Sequence, residues 1–273
     1  MIASISSSFS SPRLRKLALA MTALVALTLI AAALYQFAFV NPKFFSYAME
    51  LRAPRLIVML TAGFSISAAA IVFQTIIRNN IVTPCLLGMN SLYLLIHTAV
   101  VFFFGSGSQF ATNPVMAFAV DIVLMGVIAT FIYYSIFKKT GGNVLYVLLI
   151  GTVLSTFFSS MQNSLTRIMD PNEYDALLNT LVASFTNVNM ACIIPGILIL
   201  VLIALWLRKD IAILDIISLG RDQAISLGVD YERVLRHLMV GVALYIAVAT
   251  SLVGPLSFLG LITANVALSL IHI

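Results

Sequence analysis

The sequence has few charged residues and only two cysteines. Asp, Glu, Lys and Arg together make up 9% of its 273 residues, against about 25% in a typical soluble domain. Hydrophobic residues make up 61%, and a soluble protein of this size cannot bury so much apolar surface. The composition therefore excludes an ordinary soluble domain and indicates an integral membrane protein.

The sequence also lacks the motifs of common catalytic, metal and nucleic-acid sites. It has no Gly-x-x-x-x-Gly-Lys-Ser/Thr phosphate loop, so it does not bind ATP by that motif. Its histidines (His97, His237 and His272) show no metal-ligand spacing, and it has no basic run interleaved with aromatics. Cys85 and Cys192 lie in apolar stretches, which predicts buried thiols rather than a disulfide or a metal pair. We therefore predict no enzymatic activity, cofactor, metal or nucleic-acid partner.

What the sequence does contain is a series of long apolar runs separated by short polar connections. Each run is close to the roughly 20 residues that a helix needs to cross a bilayer. The pattern predicts an all-α polytopic membrane protein with one transmembrane domain over residues 1–273 and about eight spans. The predicted spans cover about residues 17–40, 54–77, 84–104, 114–137, 144–165, 190–207, 234–253 and 256–273.

The distribution of lysine and arginine predicts the orientation. With a cytoplasmic N-terminus, only Lys43, Arg52, Arg55 and Arg167 fall outside, and the other eleven of the 15 basic residues fall inside. Cytoplasmic loops of membrane proteins carry such an excess. We therefore expect a multi-pass protein of the bacterial inner membrane, with the polar loop (residues 210–232) in the cytoplasm.

The polar loop has the features of a short amphipathic helix. Ser218 is placed to cap a helix over about residues 219–227, and Gly228 to end it in the left-handed conformation. A short helix fixed between two spans suits a groove on another protein. The alternative is a helix lying on the lipid surface, but its few basic residues favour the protein partner. Three residues are predicted to form its apolar side: Leu219, Ala224 and Leu227.

A second polar stretch follows the second span, and we name residues 78–88 the interrupted segment. Helix-breaking residues at membrane depth are tolerated where the backbone lines a cavity or packs against protein. That fits a gate or a pathway element, and an ordinary loop is an equal alternative. The candidate residues in and just before the segment are Gln74, Thr75, Asn79, Asn80, Pro84 and Gly88.

Arg52 and Arg55 lie on either side of Pro54, which suits the first turn of a helix. Positive charge is disfavoured there by the helix dipole. The two arginines make sense if they face carboxylates of an acidic partner, which arginine binds bidentately. Contact with lipid headgroups is an equal alternative.

Asp121 is the one carboxylate that clearly falls inside a predicted span. Charged residues at bilayer depth are costly and are candidates for function. An ion or proton relay with His97 is one interpretation, and a paired structural carboxylate is the favoured one, with His97 hydrogen-bonded between helices.

Three stretches, in this order, carry a family resemblance. The first is Arg52-Ala53-Pro54-Arg55 with Gln74-Thr75, Arg78-Asn79, Pro84 and Leu87-Gly88; the second is Leu219-Gly220, Ala224 and Leu227-Gly228; the third is Val253-Gly254-Pro255-Leu256-Ser257-Phe258-Leu259-Gly260-Leu261-Ile262. From about Arg52 onward the chain resembles the FecCD-type permeases of ABC importers for iron chelates and vitamin B12. Asn79-Asn80 and Ala264-Asn265 depart from the usual Asn-Pro and Pro-His. Both variants resemble the branch for catecholate-type siderophores such as petrobactin, anguibactin and vibriobactin.

The resemblance implies a fold of about ten helices, of which this chain matches eight, as in a C-terminally truncated form. It implies a second permease subunit, a different paralogue or a second copy, and a pathway lined in part by the second span and the interrupted segment. Arg52 and Arg55 match arginines that pair with glutamates of a periplasmic binding protein. The residues matching the surface seated on cytoplasmic ATP-binding subunits are Leu219, Gly220, Ala224, Leu227 and Gly228.

The leading hypothesis is a permease subunit of an ABC importer for a ferric siderophore, with ATP hydrolysis in a separate polypeptide. An ion- or proton-coupled secondary transporter using Asp121 and His97 is the alternative from another class. A truncated, non-functional permease is the third. The sequence does not identify the siderophore.

Overall fold

The computed structural model describes residues 12–140, 144–186 and 188–271, and within these ranges the chain is helical with no β-strand. Short 3-10 turns at Pro42–Phe44 and Pro84–Leu87 precede α2 and α3. The α-helices in chain order are α1 Pro12–Phe37, α2 Phe45–Ile77, α3 Met89–Phe104, α4 Gln109–Thr112, α5 Pro114–Thr140, α6 Val144–Ile168, α7 Pro171–Leu181, α8 Met190–Ala212, α9 Leu214–Ser218, α10 Arg221–Ser226, α11 Tyr231–Val253 and α12 Leu259–Ile271.

Six of the described helices are long and apolar enough to cross a membrane, which confirms the all-α polytopic class. They are Ala18–Phe37, Pro42–Ile77, Pro114–Ile136, Leu145–Ile168, Met190–Ala212 and Tyr231–Val253. The third and eighth predicted spans correspond to α3 and α12, which have 16 and 13 residues. Both helices are shorter than the roughly 20 residues of a full crossing.

Helix α11 lies at the centre of the bundle, between α2, α5 and α8. Small residues make close packing possible, as is usual between helices in lipid. At Gly241, a Cβ would lie 2.1 Å from a methyl carbon of Leu207 on α8. Gly126 of α5 faces Leu244 of α11 in the same way, at 2.8 Å. By contrast, most apolar residues of α1 from Ala18 to Phe37 are exposed, as expected of a helix that faces lipid or another subunit.

The prediction that Pro54 opens the second span was wrong. Helix α2 begins at Phe45, more than two turns earlier, and Pro54 lies inside it. Proline lacks only the N–H that would bond to the carbonyl of Glu50, and the helix continues through this missing bond. With 33 residues, α2 is about 50 Å long and therefore extends beyond the hydrocarbon layer.

Candidate functional site

The polar loop folds into two short helices, α9 and α10, separated by Leu219 and Gly220. Gly220 has a φ of 109°, a conformation open to glycine but not to residues with a Cβ. The hydroxyl of Ser218 donates a hydrogen bond to the carbonyl of Asp215 and does not cap the next helix. The predicted single helix from residue 219, capped by Ser218, was therefore wrong, because Gly220 breaks the chain there.

The end of α10 was predicted correctly. Gly228 has a φ of 82°, and its N–H donates to the carbonyl of Ile225 at 2.9 Å. The N–H of Val229 donates to the carbonyl of Ala224 at 3.0 Å. These two bonds form a Schellman cap. The side chain of Asp230 then accepts the N–H of Arg233 and caps α11, so the loop is fixed where it joins the bundle.

The apolar residues of the loop do not share one side, contrary to the prediction. Ala224 is completely buried against the bundle, whereas Leu219 and Leu227 are 49% and 61% exposed. Ile225, which the sequence analysis did not single out, is 48% exposed. Ala224 therefore anchors α10, and the three larger residues, which we name the apolar tip, are each about half exposed on a loop held at both ends.

The second half of the interrupted segment is packed inside the protein, whereas Arg78, Asn80 and Ile81 at its start are exposed. Val82, Thr83, Pro84 and Cys85 are all buried. The hydroxyl of Tyr133 on α5 donates to the carbonyl of Pro84 at 2.9 Å. Broken helices persist in membranes where protein groups satisfy the freed backbone in this way.

The predicted pathway residues differ in their hydrogen bonds and in their exposure. The Gln74 amide donates to the carbonyl of Asn80 at 2.8 Å, and the side chain of Asn79 accepts the N–H of Ile81. The hydroxyl of Thr75 donates to a carbonyl of its own helix. Gln74, Pro84 and Gly88 are buried, Thr75 and Asn79 are half-buried, and Asn80 is exposed. These residues thus do not share one open face.

The interrupted segment ends against α6. A Cβ on Gly88 would lie 3.2 Å from the backbone nitrogen of Ser155, and one on Gly151 would lie 2.2 Å from a methyl carbon of Leu87. The hydroxyls of Ser91 and Ser155 lie 3.0 Å apart. The segment and α6 therefore touch backbone to backbone, with no intervening side chain at Gly88.

The opposite face of α6 carries exposed hydroxyls that the sequence analysis missed. Thr152, Thr156 and Ser160 line a shallow groove with Val153 and Phe157. The two threonines donate to carbonyls of their own helix. The four-residue spacing of these hydroxyls in an apolar run was the available signal, because residues four apart share a helix face. A polar face on a membrane span favours a water-filled path or a partner over lipid.

Arg52 is held by the end of α1. One guanidinium nitrogen, Nη1, donates to the carbonyls of Tyr35 at 2.9 Å and Ala38 at 2.8 Å. Arginine is favoured there because the last carbonyls of a helix carry partial negative charge. The expected dipole penalty in a first turn does not arise, since both arginines lie well inside α2. In the described part of the chain, Arg55 has no hydrogen-bond or ion-pair partner and is half-buried.

Asp121 is paired, as the favoured interpretation of this carboxylate predicted. Its Oδ1 lies 2.9 Å from Nδ1 of His97, and the residue is 3% exposed. The histidine ring packs against that of Tyr93 at 4.6 Å between centroids. The pair joins α3 to α5 beside a small cavity lined also by Ser106 and Phe110.

The chemistry of the remaining groups is limited. Cys85 and Cys192 are free and buried, as predicted. Among the described residues, no group of three His, Cys, Asp or Glu side chains is placed to hold a metal ion.

Within the described residues, an all-helical bundle with six membrane-length helices, a partly packed interrupted segment and a loop fixed at both ends defines a polytopic membrane protein. The FecCD transport family matches residues 14–272, and the chain belongs to that family. The family that the sequence motifs predicted is thereby confirmed.

Two relatives from Bacillus are petrobactin import system permease proteins. YclO of Bacillus subtilis (strain 168) is 35% identical over 221 residues, which cover 81% of this chain and 70% of YclO. FatC of Bacillus anthracis is 31% identical over 230 residues, covering 83% of this chain and 64% of FatC. The chain thus spans about two thirds of the length of these relatives.

A solved structure shares the fold. A metal-chelate type ABC transporter in an inward-facing conformation matches with a TM-score of 0.71 at 22% sequence identity. The match covers 90% of this chain and 78% of the other.

Proposed function

We propose that this chain is the permease subunit of an ABC importer that moves a ferric siderophore of the petrobactin type across the bacterial inner membrane. The observation that carries the proposal is the exposed apolar tip of the polar loop, Leu219, Ile225 and Leu227, on helices fixed at both ends. Such a rigid projection suits a groove on a partner protein. The names of the relatives YclO and FatC supply the substrate class.

In this proposal, cytoplasmic ATP-binding subunits sit on the polar loop and hydrolyse ATP, and the chain itself does no covalent chemistry. The N-terminus lies in the cytoplasm, as the distribution of basic residues favours. A second permease subunit, a different paralogue or another copy, completes the path. The hydroxyl face of α6 and the interrupted segment behind it are our candidates for this chain's share of the path.

A periplasmic binding protein docks at Arg52 and Arg55. About 20 residues span the hydrocarbon, and a stretch of about 20 residues ending at Ile77 begins at Val58, so both arginines lie just beyond that layer. Arg55 is the more available of the two, because Arg52 already binds the end of α1. Reversing both charges (Arg52→Glu with Arg55→Glu) is expected to abolish uptake driven by the binding protein; unchanged uptake would count against docking there.

The test of the proposal is association with the ATP-binding subunit. Leu219→Asp with Leu227→Asp puts two carboxylates into the apolar tip, and we expect the ATP-binding subunit no longer to purify with the permease. Lys138→Asp gives a matched control, because it adds a carboxylate at the exposed end of α5 outside the polar loop. Undiminished association of the double variant would refute the coupling role of the loop.

A secondary transporter remains the second candidate, favoured by the buried His97–Asp121 pair beside a cavity. Such a transporter needs no ATP-binding subunit. Uptake that survives depletion of ATP and collapses with an uncoupler would favour it over the ABC importer.

A further inference from the structure

Arg78 makes one of the contacts between the polar loop and the end of α2, beside those of α9. A Cβ placed on Gly220 would lie 2.9 Å from Nη1 and 3.5 Å from Cζ of Arg78. The guanidinium therefore lies against the Gly220 backbone, at the break between α9 and α10. Gly220 is buried and has a positive φ, so its backbone conformation requires glycine.

The backbone of Arg78 is itself unusual. Its φ of 57° places a non-glycine residue in the left-handed region, which is unfavourable for a residue with a Cβ. Its N–H caps α2 by donating to the carbonyls of Gln74 and Thr75. Arg78 is therefore both the C-cap residue of α2 and the first residue of the interrupted segment.

From Arg78 the tight contacts continue to α6. Gln74 holds Asn80 by a 2.8 Å hydrogen bond. At the far end of the segment, Gly88 meets the backbone of Ser155, and Leu87 lies over Gly151. Closely packed protein has few voids that could absorb a displacement. A shift of the polar loop at Gly220 therefore reaches the segment through Arg78, alongside the contacts of α9 with α2, and the segment in turn bears on α6.

The Arg78 side chain does not hold the fold together by charge. In the described ranges its guanidinium has no hydrogen-bond or ion-pair partner, and the residue is exposed to solvent overall. Its distinctive contact is the steric one with Gly220. Removing the side chain therefore removes this contact while leaving the hydrogen bonds on both sides, and the packing of α9 on α2, in place.

We propose that Arg78 is a positioning residue that transmits displacement of the polar loop, through the interrupted segment, to the hydroxyl face of α6. The proposal rests on the proposed function, since the loop is displaced only if an ATP-binding subunit is seated on it. It goes further by assigning the transmission to one contact, between Arg78 and Gly220.

The test follows the exposure of α6 in the transporter assembled with its ATP-binding subunits in lipid nanodiscs. Thr156→Cys supplies a thiol on the hydroxyl face, and the native Cys85 and Cys192 are buried. Labelling by a membrane-impermeant maleimide is compared in the nucleotide-free state and after trapping with MgATP and vanadate. With Arg78 present, we expect the labelling rate to differ between the two states.

Arg78→Gly is the informative variant, because glycine suits the left-handed cap and removes only the side chain. We expect it to lose the nucleotide-dependent difference in labelling while keeping the ATP-binding subunit and its hydrolysis. Arg78→Asn, also tolerated in this conformation, should behave in the same way. Lys209→Ala removes another exposed cation at the end of α8 and should keep the difference.

Two results would overturn the inference while leaving the proposed function standing. One is a labelling difference that persists in Arg78→Gly and Arg78→Asn. The other is a loss of the ATP-binding subunit from both variants, which would make Arg78 a docking residue. If the unaltered chain binds no ATP-binding subunit, the proposed function itself fails, and the inference fails with it.

Discussion

Gly88 is a residue at which backbone conformation and packing make the same demand. Its φ of 95° is left-handed, and a Cβ would press on the Ser155 backbone. We predict that Gly88→Ala lowers the free energy of unfolding by about 1–3 kcal/mol, measured by thermal unfolding in detergent. Gly107→Ala is the matched control, because no atom lies within 4 Å of its added Cβ; equal stability of the two variants would contradict the prediction.

Asp121 tests whether the buried pair is structural or a relay. Asn has the same shape and can still hydrogen-bond to His97, but it cannot take up a proton. We therefore predict that Asp121→Asn keeps siderophore uptake, whereas Asp121→Ala leaves His97 without its partner and lowers stability by about 1–3 kcal/mol. Loss of uptake by Asp121→Asn at unchanged thermal stability would instead support a relay.

Among the elements, α6 gives the clearest prediction about the path. Thiols react with maleimides as thiolates, which form in water and not in lipid. We predict that Thr156→Cys, on the hydroxyl face, reacts with an impermeant maleimide in the assembled transporter. Val201→Cys on α8 is the control, because it is exposed on this chain but lies in a groove lined almost wholly by apolar residues. Equal reactivity at the two positions would remove α6 from the path.

The polar loop shows which local features the sequence could specify. Gly228 ended α10 as predicted, because glycine readily adopts the left-handed conformation that terminates a helix. Gly220 broke the helix unexpectedly, because its buried position beside Arg78, 142 residues away in the chain, is not visible in the local sequence pattern. Pro54 was misread for a related reason: proline is common at helix starts, and only packing shows that a helix continues through it.

At the scale of the whole molecule, the amino-acid composition was enough to predict an integral membrane protein. The three motif stretches, in their order along the chain, were enough to predict the family. The sequence could not place Arg52 against α1 or the hydroxyl face of α6 away from the bundle. Both depend on which helices are neighbours, and apolar spans carry little of that information, because lipid and protein interiors are equally apolar.

The proposed ABC importer differs from a secondary transporter in its source of energy, which is a property of the whole assembly. Transport must draw on ATP hydrolysis in a partner and not on an ion gradient through Asp121 and His97. Proteoliposomes containing the assembled transporter, with ATP inside and binding protein loaded with ferric petrobactin outside, test this claim directly. We predict uptake that requires ATP, ceases when the ATP-binding subunit is catalytically inactive, and is indifferent to a protonophore. Uptake without ATP that is abolished by the protonophore would contradict the account.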